Sequence, residues 1–492
     1  VYRESGRFAE AEPLFARSMK IRETSLGAAH PDLAQSYQEM AELCLARARY
    51  AEAEAYARRA VRLRHKLLGP AHPEVAESLN ALGESFRLRG HYAESDRMYR
   101  QALSIKEQAL GASHPDVAVV LNNMAEQACN QRAYGEAEPL FLRALEIREQ
   151  ALGTDHPLVV YNLNNLAALY KHLGRYPEAE LLLRRGMSIR EKSSGPDHPD
   201  VAAVANSLAI LLRVVGRYEE AEPLFRRAMQ IREKTLGSRS AAFAASAAGL
   251  ASLLRDQGRY SEAEALYRTA LEAQEEAIGS ESAEAATTLS GLAMVYHAQG
   301  RHSEAEPLYR RSLKIRESVL GADHLDVAWT LNGLAGVCTG QQNHHEAEEL
   351  LRRAVAIRER ALGAVHRDVA GGLVSLAESF RAQGRLDEAE QTLRRAIATS
   401  ERIHGSDSPE LAPCLRSFAD LYAQQQRYEE AEAALQRAWS VTTRAYGALH
   451  PESAKIGKTY AVVLRRNGRE QEAAEVESHS EGWHPAVKPI IP

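Results

Sequence analysis

Eleven glycines keep one fixed spacing along this chain of 492 residues, and that register constrains the fold more than any other feature. Neighbouring members lie 42 residues apart, with no insertion or deletion: Gly27, Gly69, Gly111, Gly153, Gly195, Gly237, Gly279, Gly321, Gly363, Gly405 and Gly447. Such a period is typical of a solenoid, in which one copy cannot bury its own apolar face and packs against its neighbours. The chain is therefore predicted to be one array of stacked units.

Residues 155–195 show what each unit forms. Pro157 suits the first position of a helix, and apolar residues then recur at spacings of three and four, the pattern of a helix buried along one face. Gly174 marks a turn into a second helix, which Gly195 is expected to end in the left-handed conformation. Each unit is predicted to be two antiparallel helices of about 15–18 residues. Four units carry another residue at the turn: Ala48, Arg132, Gln342 and Gln426.

Charge and composition argue against several classes of protein. The net charge is −5 and the isoelectric point is about 6.5, which argues against binding a nucleic-acid backbone. No run of about 18 uncharged apolar residues is present, so no membrane span is predicted. Cys44, Cys129, Cys338 and Cys414 lie far apart, with neither a disulfide nor a zinc spacing. Reduced thiols indicate a cytoplasmic protein.

The recurring motifs resemble a known family. Gly-Arg-Tyr, Ala-Glu, Leu-Asn-Asn-Leu-Ala and Leu-Gly-x-x-His-Pro recur over nearly the whole chain. They are similar to the tetratricopeptide repeat in its long form, as in kinesin light chains, nephrocystin-like proteins and bacterial arrays. The resemblance implies an all-α fold: a right-handed superhelical solenoid of antiparallel helix pairs, with the first helix of each repeat on the concave side.

The phase of the repeat divides the chain into three segments. Residues 1–29 are predicted to hold a partial repeat, with its second helix from about Phe8 and the tail of its first helix in residues 1–5. Residues 30–477 are predicted to form eleven repeats, the last one truncated, and residues 478–492 a flexible tail. The N-terminal repeat has no cap, so we interpret the chain as a fragment or as covered there by a partner. Self-association through this end is a further prediction.

No active-site motif is present. The sequence lacks a phosphate-binding loop, an H-E-x-x-H motif and a nucleophile elbow. Histidine recurs before most first helices: His30, His72, His114, His156, His198, His324, His366 and His450. Successive repeats should hold these rings roughly 10 Å apart, too far to share a metal ion, so each is expected to bond the backbone at a helix start. Ser240 and Ser282 are expected to cap in the same way. The chain is predicted to be non-enzymatic, without metal or cofactor.

Two polar rows on the first helices are the candidate binding site. Asparagines occupy one repeat position, with two more beside them: Asn80, Asn122, Asn123, Asn164, Asn165, Asn206 and Asn332. Seven residues further on, the same face carries cations: Arg87, Lys171, Arg213, Arg255 and Arg381. Amides suit an extended peptide backbone, and cations favour acidic side chains. In the resembling kinesin light chains, the matching asparagines and arginines line the groove that receives cargo peptides.

A structural interpretation of both rows stays open. The asparagines could bond neighbouring helices, and the cations could pair with Glu84, Glu126 or Glu378. The second helices carry their own row of arginines, expected to form ion pairs with the glutamate of Ala-Glu or to face solvent: Arg59, Arg143, Arg185, Arg227, Arg311, Arg353 and Arg395.

The sequence thus predicts a scaffold for protein–protein interaction, whose concave groove binds extended, acidic peptide segments of an unidentified protein partner. The alternative is a sensor or regulatory repeat segment of a larger bacterial signalling ATPase or protease-like protein.

Overall fold

The computed structural model describes residues 8–47, 49–448 and 450–480, and the chain divides into two compact units between His324 and Leu325. The helices of the N-terminal unit are α1 (Phe8–Leu26), α2 (Pro31–Ala46), α3 (Tyr50–Leu68), α4 (Pro73–Leu88), α5 (Tyr92–Leu110), α6 (Pro115–Asn130), α7 (Tyr134–Leu152), α8 (Val159–His172), α9 (Tyr176–Ser194), α10 (Pro199–Val214), α11 (Tyr218–Leu236), α12 (Ala241–Asp256), α13 (Tyr260–Ile278), α14 (Ala283–Ala298) and α15 (His302–Leu320). Those of the C-terminal unit are α16 (Leu325–Gly340), α17 (His344–Leu362), α18 (Arg367–Ala382), α19 (Leu386–His404), α20 (Ala412–Gln424), α21 (Tyr428–Tyr446), α22 (Pro451–Arg466) and α23 (Glu470–Ser480), with a 3-10 turn at Pro409–Leu411.

These helices form the predicted pairs. We number the repeats from α2–α3 as repeat 1 to α22–α23 as repeat 11, and α1 is the second helix of a preceding repeat. No strand occurs among the described residues, so the expectation of an all-α solenoid is confirmed. Helix α1 begins at Phe8 as predicted, whereas α23 continues to Ser480, so residues 478–480 are helical rather than part of a tail. The predictions for residues 1–5 and 481–492 lie outside the described residues.

Local hydrogen bonds explain why the first helices begin where they do. Seven histidines accept, at Nδ1, the backbone N–H two residues further on, at 3.1–3.3 Å: His30, His72, His114, His156, His198, His366 and His450. The hydroxyls of Ser240 and Ser282 accept the N–H three residues on, each at 3.2 Å. Both sets satisfy donors that a helix start leaves unpaired. The capping role predicted for these residues is confirmed.

The glycines of the long series end the second helices in an unusual conformation. From Gly69 to Gly447, φ is 83–96° and ψ is 152–164°. The positive φ agrees with the prediction, but ψ lies far from the left-handed helical value. This region is essentially restricted to glycine. That restriction explains why all eleven positions keep glycine, whereas the turn between helices tolerates Arg132, Gln342 and Gln426 at φ 59–64°.

The arginine of Gly-Arg-Tyr joins successive repeats. Arg175 bonds Glu138 of the previous repeat at 2.7 Å and Glu178 of its own helix at 2.7 Å, and its guanidinium lies 3.9 Å from the ring centre of Tyr170. Arginines at the same position repeat both carboxylate bonds: Arg217, Arg259, Arg301, Arg385 and Arg427. The planar fork donates in fixed directions to both carboxylates, whereas lysine is a point charge on a flexible stem. These pairs are exposed to solvent, which screens them, so each stabilises the fold only weakly.

The first helices lie on the inner side of each unit. Each first helix from α2 to α12 packs directly on the first helix of the next repeat, and α16 and α18 do the same. Second helices of successive repeats pack instead on the first helices between them. Elements on the inner side of a curved stack are closer together than those outside, so the first helices form the concave face.

Candidate functional site

The concave face of repeats 2–4 carries a connected ladder of amides. Nδ2 of Asn123 donates to Oδ1 of Asn80 at 3.1 Å, and Nδ2 of Asn165 donates to Oδ1 of Asn122 at 3.1 Å. Asn122 is 0% and Asn123 is 8% exposed. These four asparagines therefore join one repeat to the next, as the structural interpretation expected.

Glu126 is the centre of this ladder. Its carboxylate accepts from Nδ2 of Asn122 and of Asn165, both at 2.8 Å, and from the hydroxyl of Tyr161 at 3.0 Å. Arg87 forms an ion pair with it at 3.2 Å. Burial is the main cause that raises the pKa of the Tyr161 hydroxyl, and the neighbouring Glu126 charge adds to it. Arg87 is thus held by a carboxylate of the chain itself.

The asparagines of repeats 4, 5 and 8 are placed differently. Asn164, Asn206 and Asn332 each turn Oδ1 into the protein, where it is shielded from solvent and has no hydrogen-bond partner. Their Nδ2 groups form no hydrogen bond within the described part of the chain and are not shielded in this way. A side chain with an unused donor on the concave face is suited to bind a peptide carbonyl.

The cation row is also divided. Arg213 and Arg255 both bond Asp256, each at 2.7 Å, and Arg381 donates to Oε1 of Gln424 at 3.4 Å. Lys171 has no carboxylate partner in the described ranges. Burial, and then the charge of Arg213, lowers the pKa of Lys171. An uncompensated cation beside a second cation attracts a carboxylate from outside the chain.

The second-helix arginines form ion pairs at the surface as predicted, but with carboxylates other than the glutamate of Ala-Glu. Arg143 pairs with Glu107 at 2.6 Å, Arg185 with Glu149 at 2.7 Å, and Arg227 with Glu191 at 2.8 Å. These carboxylates belong to an Ile-x-Glu motif near the end of the previous second helix, not to Ala-Glu. The Ala-Glu glutamates are already held by the arginine of the turn, which left them unavailable to this row.

One cation row was missed from the sequence. Arg64 is 2% exposed and donates to the carbonyl of Glu74 at 3.0 Å, to Ser78 at 2.9 Å and to Gln35 at 2.7 Å. Arg148 and Arg232 make the matching bonds to a polar residue fourteen positions later. The sequence did contain a signal for this row, because each arginine is followed fourteen residues later by a serine or an asparagine. The row is structural, because its members join the second helix of one repeat to the first helix of the next.

Neither a metal centre nor a membrane helix is found where the structure can be described. No group of three or more histidine, cysteine, aspartate or glutamate side chains gathers there to hold a metal ion. No helix of the described ranges combines the length and apolar character of a membrane span. The four cysteines are free thiols.

Comparison with known families agrees with this architecture. The model of the tetratricopeptide repeat matches residues 1–65, 39–108, 116–192, 162–234, 200–276, 242–318, 284–360 and 368–440. This chain belongs to the tetratricopeptide repeat family. Membership implies a scaffold for protein–protein interaction, and members of this family are typically not enzymes.

Solved structures and curated proteins were compared as well. The crystal structure of BtubC (BKLC) from P. vanneervenii is 23% identical, covers 47% of this chain and 93% of its own, and has a TM-score of 0.40. A Podosopora anserina structure, described as a kinesin light chain with nearly identical TPR-like repeats, is 28% identical and covers 42% of this chain and 97% of its own, with a TM-score of 0.35. None of the curated proteins compared matches this chain.

Proposed function

We propose that this chain is a cytoplasmic, non-enzymatic scaffold that binds an extended acidic peptide segment of a protein partner on the first helices of repeats 4 and 5. The observation that carries the proposal is the uncompensated Lys171 beside Arg213, on the same two helices as the unused amide donors of Asn164 and Asn206. The amides would bind the peptide backbone, and the cations would bind its carboxylates.

The geometry of the two helices supports this assignment. Asn164 and Lys171 lie seven residues apart on α8, or about 10 Å at 1.5 Å per residue. Asn206 and Arg213 have the same spacing on α10, which packs beside α8. An extended peptide has a rise of about 3.3 Å per residue, so about three of its residues span the distance from an amide to a cation.

The predicted sites thus fall into two groups. The proposed core of the site is Asn164, Lys171 and Asn206. Beside them lies Arg213, whose charge a peptide carboxylate would share with Asp256. Of the remaining predicted residues, Arg255, Asn332 and Arg381 are its proposed extensions in other repeats. Asn80, Arg87, Asn122, Asn123 and Asn165 remain proposed ligand contacts only where a peptide displaces one of their bonds to the chain, because their side chains are already bonded to neighbouring repeats.

A charge reversal tests the proposal. Binding of a fluorescent peptide of glutamate, leucine and tryptophan is measured by anisotropy on wild type, Lys171→Glu, and the matched control Lys192→Glu on the second helix α9. Loss of a charge-assisted bond of about 1.5–3 kcal/mol predicts binding at least tenfold weaker for Lys171→Glu. The control has the same net charge and should bind like wild type. Equal weakening in both variants would show that only overall charge matters and would overturn the proposed site.

The amides are tested separately. The double variant Asn164→Ala and Asn206→Ala should weaken the same peptide while leaving the thermal midpoint nearly unchanged, since neither side chain bonds another residue. A peptide affinity equal to that of wild type would remove the amides from the site.

A further inference from the structure

The two edges of the N-terminal unit meet after six repeats. Helix α1 contacts α13, and α3 contacts α15, so each member of a pair lies six repeats from the other. Contacts within a solenoid normally join only neighbouring repeats. These contacts therefore mark the point where one superhelical turn is complete and its edges touch.

The edges meet through apolar side chains. Tyr50, with Leu45 and Leu88 beside it, packs against Leu320, Val319 and Ala283. Tyr50 is 7% and Leu320 is 5% exposed. We call these six residues the clasp.

Equivalent positions in other repeats show whether this burial is caused by the contact between the edges. Leu26 and Leu236 occupy the same repeat position as Leu320 but are 44% and 36% exposed. Tyr92 and Tyr134, at the position of Tyr50, are also more exposed than Tyr50. The same residue types in the same local structure are thus buried only where the edges meet, so the edge contact is the cause of the burial.

The contact is tight on one side and loose on the other. A Cβ on Gly90 would lie 3.2 Å from Cδ2 of His324, so the backbone of the turn after α4 closely approaches the opposite edge. Beside Tyr50, a cavity of about 440 Å³ separates the edges and is lined by Arg47, Arg49 and Glu281 among others. A small apolar contact next to an open gap has little area to stabilise it, which suits a contact that opens and closes.

We propose that the clasp closes the N-terminal unit into a ring, and that a partner segment bound on the concave face is enclosed by it. A peptide with free ends enters such a ring through its open faces. A segment flanked on both sides by folded domains enters only when the clasp opens. The statement about partners rests on the proposed function, whereas the clasp itself does not.

Crosslinking tests the clasp directly on the full chain. Ala51 and Ser318 line the cavity from opposite edges, so a short bismaleimide should join Ala51→Cys to Ser318→Cys in a Cys129→Ser background. The matched control joins Ala51→Cys to Lys234→Cys, which has the position of Ser318 two repeats earlier. Crosslinking of the first pair alone supports the clasp. Failure of the first pair in a protein with wild-type helicity, or equal crosslinking of both, overturns it.

A clasp variant, made in the same double-cysteine protein, tests whether the apolar side chains hold the edges together. Leu320→Asp should abolish the crosslink between positions 51 and 318 while keeping the helical signal of the chain. Leu236→Asp, the same change at the exposed equivalent, should leave the crosslink in place. Undiminished crosslinking in Leu320→Asp would show that these side chains do not hold the edges together.

The consequence for partners has its own measurement. The fluorescent glutamate, leucine and tryptophan peptide is compared with the same peptide held between two folded domains, on crosslinked and uncrosslinked protein. We expect the free peptide to bind both forms equally and the flanked peptide to associate at least about tenfold more slowly with the crosslinked form. Equal association of the flanked peptide with both forms overturns the enclosed ring. Failure of the free peptide to bind either form overturns the proposed function instead and leaves the clasp to the crosslinking result.

Discussion

Repeats 2–4 and repeats 6–7 have the same backbone structure, but their first helices carry different residues at one position of the concave face. In repeats 3 and 4 the same position holds Asn123 and Asn165, each bonded to the repeat before it. In repeats 6 and 7 it holds Gly249 and Gly291, where a Cβ would lie 2.6 Å from the ring of Phe225 or Tyr267. At this position one region carries paired amides, and the other carries no side chain because an aromatic ring fills the space.

This difference shows how an array separates its framework from its surface. The framework is kept by glycine turns, helix caps and arginine ion pairs that recur in both regions. The concave position is outside that framework and is free to carry amides, cations or nothing. Binding capacity is therefore set repeat by repeat, and the proposed site lies where the amides are present but not used by the chain.

The largest loss of stability is expected when an asparagine of repeats 2–4 is introduced at the matching glycine of repeats 6–7. Gly291→Asn gives repeat 7 the residue of repeat 4, but its Cβ must displace the ring of Tyr267, which is 2% exposed. Overpacking of this kind costs about 1–3 kcal/mol. The control Gly371→Asn, on α18 with open space around it, should be close to neutral. Urea unfolding followed by circular dichroism measures both, and equal stability of the two variants would contradict the packing argument.

The reverse change removes an amide from the paired face. Asn122→Ala takes a donor from Glu126 and an acceptor from Asn165 in a site shielded from water. Leaving buried groups unpaired costs about 1–3 kcal/mol of unfolding free energy. Asn206→Ala, at the same repeat position but without bonds, should cost less than about 0.5 kcal/mol. A similar loss in both variants would mean that the ladder does not stabilise repeats 2–4.

A smaller change in stability tests whether the turn between the two helices has the same conformation in all repeats. Gln342 and Gln426 adopt φ of 64° and 59° at a turn where most repeats have glycine. A left-handed conformation costs a side chain about 1–2 kcal/mol, part of which the entropy of an unfolded glycine offsets. Gln426→Gly should therefore raise the stability by up to about 1 kcal/mol. Gln425→Gly, at φ −81°, relieves no strain and should lower it. Thermal unfolding of both variants decides, and a loss of stability in Gln426→Gly would contradict the shared turn.

The smallest effect concerns acid stability beside the proposed site. Burial, and then Lys171 and Arg132, lowers the pKa of His172 to about 4, from 6.5. The unfolded chain therefore binds the proton first as the pH falls. Stability from neutral His172 is complete above pH 6.5 and is lost progressively down to about pH 4. Because the ring is partly in solvent, the loss should stay below about 1 kcal/mol. His172→Gln should flatten this step in urea unfolding between pH 7 and 4, and an unchanged profile would assign the step to other groups.

Much of the framework was predictable because its causes are local. The period of the glycines, the ends of most helices and the histidine and serine caps depend on residues that lie a few positions apart. The ψ of the terminating glycines was not predicted, since a positive φ alone is compatible with two glycine conformations. The partners of the second-helix arginines were also wrong, because two carboxylates competed for the cations and only the packing of repeats shows which pairs meet.

The sequence by itself determined the repeat, its helix pairs and the positions that carry amides and cations. Only the tertiary structure decided that Asn122 is bonded within the chain while Asn206 is not, and that Leu320 is buried while Leu236 is exposed. The reason is physical. The partner of Asn122 lies 43 residues away in the next repeat, and its contact depends on how two repeats pack. The partner of Leu320 lies six repeats away, and its contact depends on small rotations that add up along the stack. No single repeat encodes that sum.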